Sequence, residues 1–292
     1  MNELIESNCV PTFYDLAGKV ALVTGSSSGI GAETARFLAI NKVRVVINGR
    51  DNQAIEKIVR EIKNAGGEAI GIPADCAKFD ELEAMREKIE QKYGPVELLF
   101  VFVGGSSKPM PIEDLPADRW DAILESNLKS KFLTVKCFVP SMKKLGRGSI
   151  VIMSSSAGRF PSDDAYDYSA AQSAVPLLTQ NLAQQLGREG IRVNTVAPCS
   201  IATERFKAHV LAERKKLDGL SKDIPQDLQN KIVSEKYIEV ASRYTIPRMG
   251  QPKDIALASL FLASEAASWI TGIVLDINGG GKFRLRKMGS GI

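Results

Sequence analysis

The sequence predicts an α/β fold in which a doubly wound parallel sheet of seven strands lies between two layers of helices. From residue 19 onward, short apolar runs rich in β-branched residues alternate with longer amphipathic segments. The runs are apolar at almost every position, which is typical of parallel strands that are buried on both faces. Regular alternation of strands and helices implies right-handed crossovers, and these build one twisted parallel sheet.

The predicted strands are four to seven residues long. In chain order they are Val20–Thr24, Val43–Asn48, Glu68–Ala74, Leu98–Val103, Ser149–Ser154, Ile191–Val196 and Val274–Ile277. The segments between them have helical spacing, with Leu and Ile on one face. The clearest of these predicted helices are Gly29–Asn41, Ile55–Lys63, Ala117–Lys144 and Tyr166–Gly187.

No repeat, low-complexity linker or break in composition divides the chain. We therefore expect one domain over residues 18–281, preceded by an extension (1–17) and followed by a basic tail (282–292). Residues 202–248 interrupt the alternation of strands and helices, because they carry many charges and no strand pattern. Long insertions after the carboxyl end of a strand usually cover a ligand crevice, so we interpret this segment as a substrate lid. The alternative is a surface helix pair without a binding role.

The composition argues against nucleic-acid, membrane and metal partners. Lys and Arg exceed Asp and Glu by only 38 − 34 = 4, and a nucleic-acid binder would carry a larger basic stripe. No window approaches the roughly 18 apolar residues that a membrane span needs. The cysteines have neither metal-ligand nor disulfide-framework spacing. We expect reduced thiols in a cytoplasmic protein. The cysteines are Cys9, Cys76, Cys137 and Cys199.

A glycine-rich loop follows the first strand and opens the first helix. It runs from Thr24 to Gly31 and holds three glycines. The first allows a tight turn, the second lets backbone N–H groups approach a phosphate, and the third lets helix and strand pack closely. Together with the helix N-terminus, this loop predicts a dinucleotide pyrophosphate site. Its predicted contact residues are Gly25, Ser27, Ser28, Gly29, Ile30 and Gly31.

The end of the second strand predicts which dinucleotide binds. An acidic residue there would bind the ribose 2′-hydroxyl of NAD(H), but the chain reads Asn48-Gly49-Arg50. The guanidinium of Arg50 suits a 2′-phosphate, which favours NADP(H) over NAD(H). The alternative is that Arg50 is a solvated loop residue.

These motifs together resemble the short-chain dehydrogenase/reductase family, from about residue 18 to residue 280. Thr24–Gly31 resembles its TGxxxGIG loop, and Ser155 and Tyr168 have its serine–tyrosine spacing. The resemblance implies strand order 3-2-1-4-5-6-7, a homodimer or homotetramer, and an active-site role for Asn127. It also implies contacts of the dinucleotide with Asp75, Cys76, Val103, Gly104, Pro198, Ile201 and Thr203.

The chemistry implied by the resemblance is hydride transfer between the cofactor and a small carbonyl or alcohol. Tyr168 would be the general acid, and Ser155 would hold the substrate oxygen. The family has a lysine four residues after the tyrosine, where it contacts the nicotinamide ribose and lowers the pKa of the phenol. Here that position is Gln172, which can contact the ribose but carries no charge. One ammonium at about 4 Å is worth roughly 4 kcal/mol, so we expect weakened catalysis.

Two further departures from the family pattern leave the function open. The fourth strand ends Val101-Phe102-Val103-Gly104 where the family has NNAG, and Cys199 follows Pro198 where it has glycine. The leading interpretation is a reductase of a ketone or 3-oxoacyl-like carbonyl, or a dehydrogenase of the matching alcohol. The alternatives are a low-turnover cofactor-binding protein (a sensor or scaffold) and a non-redox dehydratase or isomerase on the same fold.

Overall fold

The computed structural model describes residues 10–160, 166–217 and 224–281. Within them, seven parallel strands form one sheet in the order β3-β2-β1-β4-β5-β6-β7, which confirms the predicted fold class. The order reverses between β1 and β4, and in sheets of this kind ligands bind beside that reversal, outside the carboxyl ends of the strands. The strands are β1 (Val20–Thr24), β2 (Arg44–Gly49), β3 (Glu68–Pro73), β4 (Leu98–Val101), β5 (Gly148–Met153), β6 (Ile191–Pro198) and β7 (Val274–Ile277).

Helices cover both faces of the sheet. The predicted helix over 117–144 is interrupted by a π-helical turn, Glu125–Lys129, between two α-helices. Such turns insert one extra residue and are frequent at functional sites. The helices are α1 (Gly29–Ile40), α2 (Asn52–Asn64), α3 (Phe79–Tyr93), α4 (Ala117–Leu124), α5 (Ser130–Leu145), α6 (Tyr166–Leu186), α7 (Glu204–Leu217), α8 (Gln226–Ala241) and α9 (Pro252–Ala263).

Two large apolar clusters of the described residues form the core beside the sheet, one on each of its faces. Successive residues of β1 point to opposite faces, as the strand period of two requires. Ala21 and Val23 pack with α1, α2 and α9, whereas Val20 and Leu22 pack with α3, α5 and α6. Both faces are covered, which explains why the strand sequences are apolar at nearly every position.

The fourth strand is shorter than its apolar run. It ends at Val101, two residues before the predicted end. The hydroxyl of Thr24 accepts hydrogen bonds from the backbone N–H groups of Phe102 (3.0 Å) and Val103 (3.2 Å). These bonds hold residues 102 and 103 against the end of β1, just after β4 stops.

The segment predicted as a lid contains α7 and α8 and ends beside a small apolar cluster. The rings of Phe206 and Tyr237 pack with centroids 5.8 Å apart, next to buried Val240, Tyr244 and Met249. Residues 218–223 of the predicted lid, residues 1–9 of the extension and the tail 282–292 lie outside the described residues. In the described part of the chain, no helix is both long and apolar enough to span a bilayer.

Candidate active site

The glycine loop after β1 is held in one conformation by close backbone contacts. Gly25 has a left-handed φ of 65°, which suits glycine. A Cβ on Gly31 would overlap the carbonyl oxygen of Gly25 and lie 2.8 Å from the Cα of Ser26. The backbone N–H of Ser26 donates to the carbonyl of Asn48 (2.8 Å). The loop therefore fits tightly between α1 and the ends of β1 and β2.

The N-terminus of α1 can receive an anion. Ser28 is the N-cap residue, and its side chain makes no capping hydrogen bond to the helix. The positive end of the helix dipole is thus not neutralised by its own cap. Thr203 lies above the loop, since its methyl carbon is 3.4 Å from the position that a Cβ on Gly29 would occupy. The loop and the segment after β6 therefore enclose the same end of the crevice.

The end of β2 gives Asn48, Arg50 and Asp51 three different environments. The buried Asn48 amide donates to the carbonyls of Ile72 and Ala74 at 3.2 Å, so Asn48 joins β2 to the end of β3. The carboxylate of Asp51 caps α2 by accepting from the N–H of the second and third following residues, at 2.9 and 3.1 Å. Arg50 is exposed, and among the described residues it has no ion-pair partner.

Asp75 and Cys76 follow β3 at the same edge of the sheet. The Asp75 carboxylate accepts a hydrogen bond from the N–H of Ala77 (3.0 Å). The Cys76 thiol is buried and donates to the side-chain oxygen of Asn48 (3.3 Å), and burial raises its pKa to about 12. The thiol therefore points into the core, so a nucleotide at this position would meet the backbone of Cys76.

The π-helical turn directs Asn127 inward, where it is fully buried. Its side-chain oxygen accepts hydrogen bonds from the N–H of Gly105 and from the amide of Gln172, each at 3.1 Å. Its amide nitrogen donates to the carbonyl of Ile123 (3.2 Å). A Cβ on Gly104 would lie only 2.7 Å from the Asn127 oxygen, so a larger residue would displace this amide.

The structure packs the end of β5 against α6. The hydroxyl of Ser154 donates to the carbonyl of Gln172 (2.9 Å), and a Cβ on Gly158 would overlap that carbonyl group. Ser155 follows β5, and its hydroxyl accepts from the N–H of Ala157 (3.2 Å). Tyr168 is half-buried in the first turn of α6. This junction brings the Ser155 segment and the Tyr168 helix together.

Gln172 is buried and contacts a second polar residue, which sequence reasoning missed. The Nζ atom of Lys131 donates to the side-chain oxygen of Gln172 at 3.2 Å. Burial lowers the pKa of Lys131 to about 7. Lys131 lies on α5, so the sequence around Tyr168 on α6 gives no sign of it. The available signal was the spacing, because Lys131 lies one helical turn after Asn127, on the same face as the buried Thr134 and Phe138.

A buried carboxylate lies beside Tyr168. Asp167 is fully buried and accepts hydrogen bonds from the Ser107 hydroxyl (2.7 Å) and from the Nε of Arg119 (3.2 Å). The Arg119 guanidinium also donates to the Lys108 carbonyl. This network ties residues 102–116, which follow β4, to the start of α6. Residues 161–165, which include Asp163 and Asp164, lie outside the described residues.

A cavity of about 270 Å³ lies between the lid segment and the ends of β6 and β7. The Tyr244 hydroxyl accepts from the N–H of Ser200 and donates to the Cys199 thiol, both at 3.3 Å. Burial raises the pKa of Tyr244 to about 12. Ser155, Tyr168 and Gln172 are not among the residues that line this cavity. Its lining includes Cys199, Ser200, Ile201, Tyr244, Arg248 and Ile277.

A family model and similar proteins of known name all describe dehydrogenases or reductases. A family model described as short chain dehydrogenase matches residues 19–214. The chain is 33% identical over 266 residues to 7alpha-hydroxysteroid dehydrogenase of Escherichia coli (strain K12), covering 91% of this chain and 95% of that protein. It is 31% identical over 266 residues to the 3-oxoacyl-[acyl-carrier-protein] reductase FabG of Thermotoga maritima, covering 91% of this chain and 98% of that protein.

Solved structures with the same fold include proteins that hold nicotinamide dinucleotides. A 7 alpha-hydroxysteroid dehydrogenase complexed with NADH and 7-oxo glycochenodeoxycholic acid has a TM-score of 0.78 at 32% identity, covering 92% of this chain and 96% of that chain. A 3-oxoacyl-[acyl-carrier protein] reductase with bound NAD from Brucella melitensis has a TM-score of 0.78 at 26% identity, covering 96% of this chain and 97% of that chain.

Proposed function

The chain belongs to the short-chain dehydrogenase/reductase family of oxidoreductases, and from that premise we propose an NADP(H)-dependent enzyme that reduces a ketone or 3-oxoacyl-like carbonyl, or oxidises the matching alcohol. The observation that carries this proposal is the packed junction of β5 and α6. There Gln172 meets both Gly158 and Ser154, which brings the Ser155 and Tyr168 segments together.

The residues around the crevice fit a dinucleotide. The loop between β1 and α1 excludes a side chain at Gly31, and the start of α1 has no side-chain cap. A pyrophosphate bound there would meet backbone N–H groups and a positive helix end. Arg50 would bind the 2′-phosphate of NADP(H). The remaining proposed contacts are Gly25, Ser27, Ser28, Gly29 and Ile30 at the pyrophosphate, Asp75 and the Cys76 backbone at the adenine, and Val103, Gly104, Pro198, Ile201 and Thr203 toward the nicotinamide.

When bound, the cofactor supplies or accepts the hydride, and side chains of this chain manage the proton. The Ser155 hydroxyl donates a hydrogen bond to the substrate oxygen. The Tyr168 phenol gives its proton to that oxygen in reduction and takes it back in oxidation. Asn127 and Gln172 hold the surrounding backbone and α6 in register through their shared hydrogen bond. The lid segment and residues 102–116 would limit the access of water to the crevice.

The first test is NADPH oxidation with a panel of ketones and 3-oxoacyl compounds. We expect at least one to be reduced, and we expect Tyr168→Phe to lower the rate by about 10²-fold or more, because that variant cannot supply the proton. Tyr166→Phe is the matched control, since Tyr166 is exposed on the same helix.

Three results would contradict the proposal. The reductase function fails if the wild-type protein is no faster than Tyr168→Phe with every compound. Product formation without a change in nicotinamide absorbance would identify a dehydratase or isomerase. Tight dinucleotide binding without any turnover would identify a cofactor-binding protein.

A second prediction concerns the choice of cofactor. We expect Arg50→Ser to weaken NADPH binding by about tenfold and to leave NADH binding unchanged, because a charge-assisted hydrogen bond to the 2′-phosphate is lost. Calorimetric titration with both dinucleotides measures this difference. Arg60→Ser, an exposed site on α2, is the charge-matched control. Equal losses for both dinucleotides would argue against recognition of the 2′-phosphate by Arg50.

The proposal includes a homodimer or homotetramer formed through α5 and α6. These helices expose large apolar side chains, with Phe132 48% and Leu177 61% exposed, and exposed apolar surface often marks a protein–protein interface. It also includes a cytoplasmic location, supported by the free thiols of Cys76, Cys137 and Cys199.

A further inference from the structure

The buried amine of Lys131 contacts Gln172, which follows Tyr168 by four residues on α6. It lies at the start of α5 and is 1% exposed, and its Nζ donates to the side chain of Gln172 at 3.2 Å. Gln172 donates in turn to Asn127, and Nζ is 4.0 Å from the position of a Cβ on Gly104. Gln172 follows Tyr168 by one helical turn, so both side chains lie on the same face of α6.

No carboxylate balances the charge of Lys131 within the described residues. The nearby charged groups pair with one another, Arg119 with Asp167 at 3.2 Å and Lys129 with Glu125 at 2.8 Å. Burial is therefore the cause of the lowered Lys131 pKa. Titratable groups on the elements around it include Tyr168 and Asp167 on α6, Arg119 on α4, Glu125 and Lys129 on the π-helical turn, and Arg86, Glu90 and Cys137 further along α3 and α5.

An unbalanced amine in this position is costly for the fold. Lysine is almost never fully buried unless it is paired, and an apolar side chain of similar length would fill the same space without that cost. The amine donates a hydrogen bond to Gln172. Gln172 occupies the position where the family has the lysine that lowers the pKa of the active-site tyrosine. Lys131 thus places an amine beside Gln172, where the helix of Tyr168 carries no lysine of its own.

We propose that Lys131 is the active-site cation of this chain: its ammonium, held against Gln172, stabilises the ionised form of Tyr168, and its amine takes up a proton from solvent when the dinucleotide binds. This inference rests on the proposed function. The negative charge of a bound dinucleotide favours the ammonium form, and the ammonium then favours loss of the Tyr168 proton to the substrate. Lys131 acts through Gln172 and the local field, so it is a positioning residue.

Proton uptake provides a test that is independent of turnover. Calorimetric titration of NADPH at about pH 8, in buffers with different heats of ionisation, reports the protons bound with the dinucleotide. We expect the wild-type protein to take up more than about half a proton beyond the value for Lys131→Met. Lys129→Met, which removes an exposed charge two residues away, should behave like the wild type. Lys131→Gln is a second charge-removing variant that guards against a folding defect in the first.

Moving the cation separates a charge effect from a packing effect. We expect Lys131→Met to lower the rate of carbonyl reduction by about 10²-fold. The double variant Lys131→Met/Gln172→Lys should recover most of that loss, since it returns one ammonium to the same place. A structural role for Lys131 predicts no such recovery.

The outcomes distinguish this inference from the function on which it rests. If NADPH binds and carbonyls are reduced, but the Lys131 variants match the wild type in both proton uptake and rate, the role of Lys131 is wrong and the function stands. If the wild-type protein neither binds NADPH nor reduces any carbonyl, the proposed function itself is wrong.

Discussion

Replacement of Gly31 by alanine is expected to abolish dinucleotide binding and to lower the free energy of unfolding by about 1–3 kcal/mol. The added Cβ would overlap the Gly25 carbonyl oxygen and approach the Cα of Ser26 to 2.8 Å. Both are backbone atoms, so no side-chain rotation can relieve the contact. The start of α1 must therefore move away from the loop. Its backbone N–H groups would then no longer point toward one bound phosphate. Urea unfolding and calorimetric titration with NADPH measure the two effects.

Gly187→Ala is the control for this substitution. A Cβ at Gly187 has no neighbour within 4 Å among the described residues, and the site lies far along the chain from the glycine loop. We expect that variant to bind NADPH normally and to unfold within about 0.5 kcal/mol of the wild type. Normal NADPH affinity in Gly31→Ala would show that the pyrophosphate does not lie at the start of α1.

Lys131→Met is expected to stabilise the protein at low pH, and the gain should shrink as the pH rises. Burial lowers the pKa of Lys131 from its ordinary value of 10.5 to about 7. Below about pH 7 both the folded and the unfolded chain hold the proton, so the full cost of the buried charge is present. Between about pH 7 and pH 10.5, the unfolded chain retains a proton that the folded chain has released. The free energy of unfolding of the wild-type protein therefore rises with pH over this range. Above pH 10.5 the Lys131 amine is neutral in both the folded and the unfolded chain, so the cost of burying a charge is absent.

The size of this effect follows from the separation of the two pKa values. The gap in unfolding free energy between Lys131→Met and the wild type should fall by about 1.4 kcal/mol per pH unit above about pH 7. At low pH the electrostatic part of the gap is on the order of 5 kcal/mol. The lost hydrogen bond to Gln172 subtracts about 1 kcal/mol at every pH. Urea unfolding of both proteins from about pH 6 to about pH 9 measures the gap.

The matched control removes a lysine that water already solvates. Lys129 is paired with Glu125 on the protein surface, with its side chain 55% exposed. We expect Lys129→Met to show no change in relative stability across this pH range. A gap for Lys131→Met that stays constant with pH would mean that the Lys131 amine remains protonated in the folded protein throughout this range, as it does in the unfolded chain.

Most of the fold could be predicted because its signals are local. A strand covered on both faces must be apolar along its length, and the alternating residues of β1 illustrate this in the two core clusters. The tight turn after β1 requires glycines at fixed positions, and their spacing is visible without any tertiary information. Strand ends were less predictable, because β4 stops where Thr24, a residue from another strand, captures the next N–H groups.

The site was predictable only in part. The resemblance to the family's serine–tyrosine spacing predicts roles for Ser155 and Tyr168, and for Gln172 by its offset from Tyr168, and these roles stay predictions. The role of Asn48 had no local signal, since its buried amide joins β2 to the end of β3. The buried carboxylate of Asp167 also gave no local signal, since its partners lie in the loop after β4 and on α4.

The sequence by itself determined the parallel sheet, the glycine loop and the absence of a lysine one turn after Tyr168, because each depends on residues close together in the chain. Only the tertiary structure shows which other side chain reaches that place. Lys131 and Gln172 are separated by 41 positions, and they meet because the π-helical turn before α5 and the packing of α6 direct both side chains into one buried space. Contacts of that kind depend on how helices pack, which no short stretch of sequence encodes.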